Sequence, residues 1–155
     1  MTAKTLLVVA HVPSPNTTRL FEAVMAGAQS LNAEGITVKG QSPFDTVPED
    51  VKTASAVVLG TTENLGYMSG AMKDFFDRCY YPCLEETQGL AYAAYIRAGH
   101  DGTGTKRAIE SITTGLRWRA VNEPLVLRGD FQEPFVDQCE ELGTLMAAGL
   151  EAGIF

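Results

Sequence analysis

Ser14, Asn16, Thr17 and Thr18 place three hydroxyls and a carboxamide within five positions, inside the stretch HVPSPNTT. Helix N-termini present unpaired N–H groups that receive anions. The cluster therefore suits a monophosphate held by hydroxyls and backbone, without arginine or magnesium. An ordinary N-cap at Asn16 or Thr17 is the alternative, although a cap needs only one such residue. Neither the Walker pattern nor G-x-G-x-x-G occurs here.

A second cluster runs Gly60-Thr61-Thr62-Glu63-Asn64-Leu65-Gly66-Tyr67-Met68-Ser69-Gly70. Backbone amides on a junction of this length can read a flat polar ring while Leu65 or Tyr67 packs on its face, and Gly66 permits close approach. The competing account is a surface loop whose Ser69 caps the next helix. The third cluster, Ala98-Gly99-His100-Asp101-Gly102-Thr103-Gly104, carries three glycines, as backbone passing close to a ligand would. A plain tight turn is the other reading, and His100 lies either beside a bound ring or simply in solvent.

No set of catalytic side chains accompanies these clusters. His11 and His100 are the two histidines, and no G-x-S-x-G elbow is present. Glu140 and Glu141 fall on an acidic terminal helix and read as solvated surface. Cys79, Cys83 and Cys139 lack the paired spacing of zinc or iron–sulfur sites, so no metal site is expected and buried thiols on helices are.

The elements that must position these clusters alternate along the chain. Continuous apolar runs at 5–10, 55–60 and 90–96 predict strands covered on both faces, with 36–39 and 121–127 as two more. Helical spacing fills Thr17–Asn32, the segment from Gly70 to just before Pro82, the segment around Ala108–Ile112 up to Gly115, and a last helix opened by Pro134. Between Gly40 and Ala54 only PEDVKTA predicts a short helix. Five strands alternating with helices predict a doubly wound parallel sheet, in which ligands sit beyond the carboxyl ends of the strands. The three polar clusters follow strands one, three and four, which is where such a ligand would lie.

The 155 residues predict one domain, 1–155, with enough chain to bury a core. The net charge of −7 is spread along it: residues 1–77 carry 5 basic and 8 acidic side chains, residues 78–155 carry 7 and 11. Such a surface repels phosphate backbones, so nucleic acid is not an expected partner. It would suit docking to a basic redox protein, although acidity often serves solubility alone. No run approaches the roughly 20 apolar residues of a membrane helix. The short apolar N-terminal run reads as a first strand, not a signal peptide, and a cytoplasmic location is expected.

Strand–SPNTT–helix, then AVVLGTTENLGYMSGAMKDFFDR, then AYIRAGHDGTG, resembles the flavodoxin-like family, which includes NAD(P)H-dependent FMN reductases, quinone-reductase-like flavoproteins and flavodoxins. Gly60–Arg78 carries the most specific part of the likeness. The resemblance implies a three-layer α/β fold with a five-stranded parallel sheet of order 2-1-3-4-5 and helices on both faces. It implies FMN, with the phosphate on Ser14, Asn16, Thr17 and Thr18. The isoalloxazine would rest on Thr61, Thr62, Glu63, Asn64, Leu65, Gly66 and Tyr67, closed in by Gly99, His100 and Gly102. Lys73, Asp74 and Arg78 read as structural ion pairs along a helix. The first loop departs from the electron carriers' S/T-x-T-G-x-T spelling, Thr62 stands where many relatives have proline, and His100 replaces a frequent stacking tyrosine.

The expected function is that of an FMN-dependent oxidoreductase, an NAD(P)H-dependent flavin or quinone reductase, passing electrons to a small-molecule acceptor or a redox protein. Lys106 and Arg107 would then meet the phosphates of NADPH, unless they pair with Asp101 or Glu110. A flavodoxin-type electron carrier, and a module that has lost tight FMN, are the alternatives. Only the resemblance to oligomeric reductases points to a homo-oligomer.

Overall fold

The computed structural model describes residues 3–155. The first strand, β1 (Lys4–Ala10), is a buried interior strand of the sheet, and its run of leucines and valines serves both faces. Leu6, Val8 and Ala10 point into one core, against α1 (Pro15–Gln29) and α5 (Glu133–Glu151). Leu7 and Val9 point into the other, which α3 (Gly70–Cys83) and α4 (Thr103–Gly115) cover. Alternation along a strand thus divides its apolar residues between two helical layers.

The parallel ladder runs from β2 (Ile36–Gln41) through β1 to β3 (Ala56–Asn64) and β5 (Ala91–Ala98). Beyond β5 the edge is broken into β6 (Arg119–Ala120) and β7 (Leu125–Arg128), both parallel to β5. With β4 (Tyr67–Met68) antiparallel to the end of β3, the described residues form a seven-stranded sheet of order β2-β1-β3-β5-β6, with β4 on β3 and β7 on β5. The expected five strands in the order 2-1-3-4-5 therefore need correcting. Of the strand predicted at 121–127 only 125–127 are strand, in β7; β6 lies before that range, and Pro124, in the gap, has no N–H to give the ladder.

A short 3-10 turn (Pro43–Asp45) and α2 (Pro48–Lys52) fill the weakly patterned stretch. Arg78 fastens it, donating to the carbonyl oxygens of Thr46 and Pro43 at 2.7 Å each. The third helix runs two residues past its predicted stop, since Pro82 is accommodated within its last turn. Lys73–Asp77 (2.6 Å) and Arg78–Asp74 (2.8 Å) are ion pairs one turn apart on α3. All three cysteines are buried and free. Burial pushes the Cys79 thiol up to about 11 and Cys139 up to about 12. Among the described residues no helix is long and apolar enough to cross a membrane.

Candidate functional site

β1, β3 and β5 end on one rim of the sheet: Ala10 pairs with Gly60, and Thr61 and Thr62 pair with Ile96 and Arg97. The three polar clusters leave from this rim. Register alone brings them together.

The first cluster closes on itself. Ser14 Oγ accepts the Thr17 N–H at 3.2 Å, and Thr17 Oγ1 accepts the Ser14 N–H at 3.0 Å. The Thr17 and Thr18 hydroxyls both donate to the Ser14 carbonyl oxygen, at 2.9 and 3.0 Å. This is a reciprocal capping box with Ser14, not Asn16 or Thr17, as the N-cap of α1, and Pro15 in its first turn. Asn16 stays exposed, and neither its N–H nor its carboxamide has a partner among the described residues. Sequence reasoning passed over His11 at the entrance to this loop. Its N–H donates to the Gly60 carbonyl at 2.9 Å, while its ring Nδ1 is buried without a partner among the described residues. Burial also lowers the imidazole pKa from its ordinary value. Its place directly after an apolar strand, at the ligand end of the sheet, was the available signal.

The second cluster is not a loop but a hairpin. β3 continues through Thr62 and Glu63 to Asn64 and returns as β4, with Leu65 and Gly66 alone in the turn. Both turn residues have positive φ, 52° and 76°, as a two-residue type I′ connection requires. Leucine pays for this in backbone strain, and its side chain is nonetheless fully exposed. Tyr67 is partly exposed beside it. Beneath the hairpin, buried Thr61 accepts the Ser69 N–H at 3.0 Å, and Ser69 Oγ caps α3 by accepting the Met72 N–H at 3.1 Å. Thr62 Oγ1 lies 2.8 Å from the Asn64 carboxamide oxygen.

The hairpin is tied to the third cluster. The Glu63 carboxylate accepts the backbone N–H of His100 at 2.9 Å and of Gly102 at 2.8 Å, one on each oxygen. Buried Thr105 donates to the Tyr67 carbonyl at 2.9 Å. Gly104 lies so close to Gly66 that a Cβ at 104 would collide with the Gly66 carbonyl oxygen. Gly99 and His100 are exposed, whereas Gly102 is buried at the N-cap of α4. Asp101 accepts the Thr103 N–H at 3.0 Å, chiefly for that reason holds its carboxyl below the ordinary range, and gives its carbonyl to Arg128 Nε at 2.7 Å. The second and third clusters are thus clasped, with Glu63 spanning the space between them. The first reaches them through the His11–Gly60 bond. Lys106 faces Glu123 at 3.9 Å, and Arg107 is exposed with no acidic partner among the described residues, so neither pairs with Asp101 or Glu110.

No family model matches the chain. It is 33% identical over 111 residues to a flavodoxin of Aquifex aeolicus (strain VF5), covering 72% of this chain and 59% of that protein, so the match spans about three-fifths of the relative's length. Among solved structures, a flavodoxin from the domain Archaea superposes with a TM-score of 0.80 at 22% identity, over 95% of this chain and 99% of that one. A flavodoxin, WrbA-like protein from Agrobacterium tumefaciens superposes with a TM-score of 0.74 at 16% identity, over 98% of this chain and 99% of that one. With a parallel sheet enclosed by two helical layers and these superpositions, the chain has the flavodoxin-like fold, and its sequence is similar to that of a flavodoxin.

Proposed function

We propose that this chain binds FMN at the rim formed by the ends of β1, β3 and β5 and transfers electrons with it. The observation that carries the reading is the convergence there of the α1 N-terminus with the clasped hairpin and third loop, on a chain similar to a flavodoxin. The residues present fit the group. The orphaned Nδ1 of His11 and the open carboxamide and N–H of Asn16 offer partners to a phosphorylated polyol, and exposed Leu65 and Tyr67 offer apolar cover to a ring.

The cofactor supplies the redox chemistry; the protein positions it and tunes it. Asn16 and the first turn of α1 receive the phosphate, where unpaired N–H groups favour negative charge. Ser14 and Thr17, already bonded to each other, hold that turn in shape. Glu63 fixes the third loop and sets a negative charge at the rim, which disfavours added electrons on a nearby ring. Leu65 and Tyr67 exclude water from one face. A small-molecule acceptor or a redox protein receives the electrons.

Titration of the protein, stripped of any bound flavin, with FMN and, separately, riboflavin tests this reading by quenching of flavin fluorescence. FMN is expected to bind and riboflavin to bind more weakly; a protein indifferent to both defeats the proposal and leaves a module acting by contact alone.

A second reading, turnover with NAD(P)H, draws on Lys106 and Arg107 at the start of α4. Cations there oppose the helix dipole; Lys106 has Glu123 at 3.9 Å, and Arg107 has no acidic partner among the described residues. Anaerobic NADPH added to the FMN-loaded protein is expected to bleach the visible flavin band rapidly if the chain is a reductase, and to leave it if the chain is a carrier. In the reductase case, Lys106→Ala and Arg107→Ala raise the KM for NADPH.

A further inference from the structure

Away from the rim, a furrow of about 650 Å³ opens between β7 and α5. Its floor is apolar, formed by Pro124 and Leu125 on one side and Leu142 and Leu145 on the other; Glu123 and Glu141 stand on its rim. Leu145 is 42% exposed, unusual for a leucine on the same helical stripe as buried Leu142. The strand beside it is an edge: among the described residues β7 pairs with β5 and with no other strand. Its outward N–H and C=O groups therefore face solvent next to an apolar channel.

We propose that this furrow receives an extended segment of a partner protein, alternating apolar and basic residues, which adds to the sheet at β7. Strand addition uses main-chain bonds for affinity and alternate side chains for selection. Here every second side chain of the incoming segment turns toward Leu142 and Leu145. The basic character follows from the rim. Glu141 has no ion pair among the described residues, and Glu123 is met only by Lys106 at 3.9 Å, with its own side chain 88% exposed. A second copy of the chain fits poorly. Two β7 strands paired antiparallel about a twofold axis between Val126 and Leu127 would set Glu123 opposite Asp130, and would bring two acidic rims together. The far end of β7 reaches the rim described above, since Arg128 holds the Asp101 carbonyl, so the occupant would lie next to the third loop. The inference stands whether or not FMN binds.

The test is a titration of the isotope-labelled full chain with a capped hexapeptide of alternating lysine and valine, followed by amide shifts and hydrogen exchange. Shifts confined to 122–128 and 138–145, with slowed exchange on β7, are expected. Leu145→Ser and the double variant Glu123→Gln, Glu141→Gln sit at exposed positions and keep the fold; each is expected to weaken binding by about tenfold. A peptide N-methylated at alternate residues, unable to pair, should not bind. Absence of shifts, shifts elsewhere, equal binding of a glutamate–valine peptide or of the N-methylated one, or self-association of the chain that Leu145→Ser abolishes, would each overturn the proposal.

Discussion

Glu63 holds Gly102 from across the rim: a carboxylate oxygen at the end of β3 accepts the N–H that begins α4, at 2.8 Å. The second oxygen takes the His100 N–H, so one side chain fixes two backbone groups of the third loop. Glu63→Gln keeps one acceptor and loses the other. Its expected cost is about 1.5–3 kcal/mol, the scale of a hydrogen bond to a charged group. Amide exchange at His100 and Gly102 should accelerate while exchange in β1 is unchanged. With FMN bound, the same variant should shift the flavin midpoint potential upward; an unchanged potential would remove Glu63 from the tuning role.

Leu65 separates stability from function. Replacing it with Asn gives the turn the Asn-Gly pair that suits positive φ at both positions. Relief of left-handed strain of about 1 kcal/mol should raise Tm by roughly 2–4 °C. If Leu65 covers a bound ring, the same variant binds FMN more weakly. A thermal melt and an FMN titration on one protein sample read both effects.

Thr105 secures α4 to the hairpin through the Tyr67 carbonyl, inside the protein. Thr105→Val preserves shape and deletes the donor, leaving a carbonyl without its partner, at an expected cost of about 1–3 kcal/mol. Denaturant unfolding measures it. Gly104→Ala should disturb the hairpin more, since its methyl group meets the Gly66 carbonyl.

Asp50 is a pH-dependent strut. Its partial burial works against the charged form, but hydrogen bonds from the Val47 N–H, Lys39 and Gln41, all at 2.9 Å, outweigh this and lower its pKa. A depressed carboxylate pKa stabilises the fold above the unfolded value, about 3.9, and the contribution disappears as pH falls through the folded value. Asp50→Asn should therefore lower Tm at neutral pH, with the gap to the parent protein closing below about pH 4. A constant gap across that range would contradict the assignment.

The thiols should be silent in the folded state. With Cys79 near 11 and Cys139 near 12, and Cys83 also raised by burial, none supplies much thiolate at pH 8. A thiol reagent should label no cysteine in native protein and three after denaturation.

The doubly wound plan was legible because β1 and β5 are nearly unbroken apolar runs and because each is followed by a polar, glycine- or proline-bearing junction. The hairpin at 61–68 was not. Leu-Gly is no standard turn pair, and a leucine at φ 52° contradicts the local preference that a sequence reading relies on. Pro124 did carry a warning that the last strand would break, and Pro82 gave a false one, because the final turn of α3 tolerates the lost bond. The Glu63 clasp joins residues 37 and 39 positions apart, and no local pattern announces it. Ser14 could be read as polar, yet whether its hydroxyl served a ligand or its own helix depended on the rotamers of Ser14 and Thr17.

Those two side chains have a consequence for the unliganded protein. Since Ser14 and Thr17 satisfy one another, the opening of α1 needs no phosphate to stay wound. The helix, and with it the packing of α1 on α5, is complete before anything arrives. Emptying the rim should therefore leave a native circular-dichroism spectrum, so that loading and folding behave as separate events in the life of the chain.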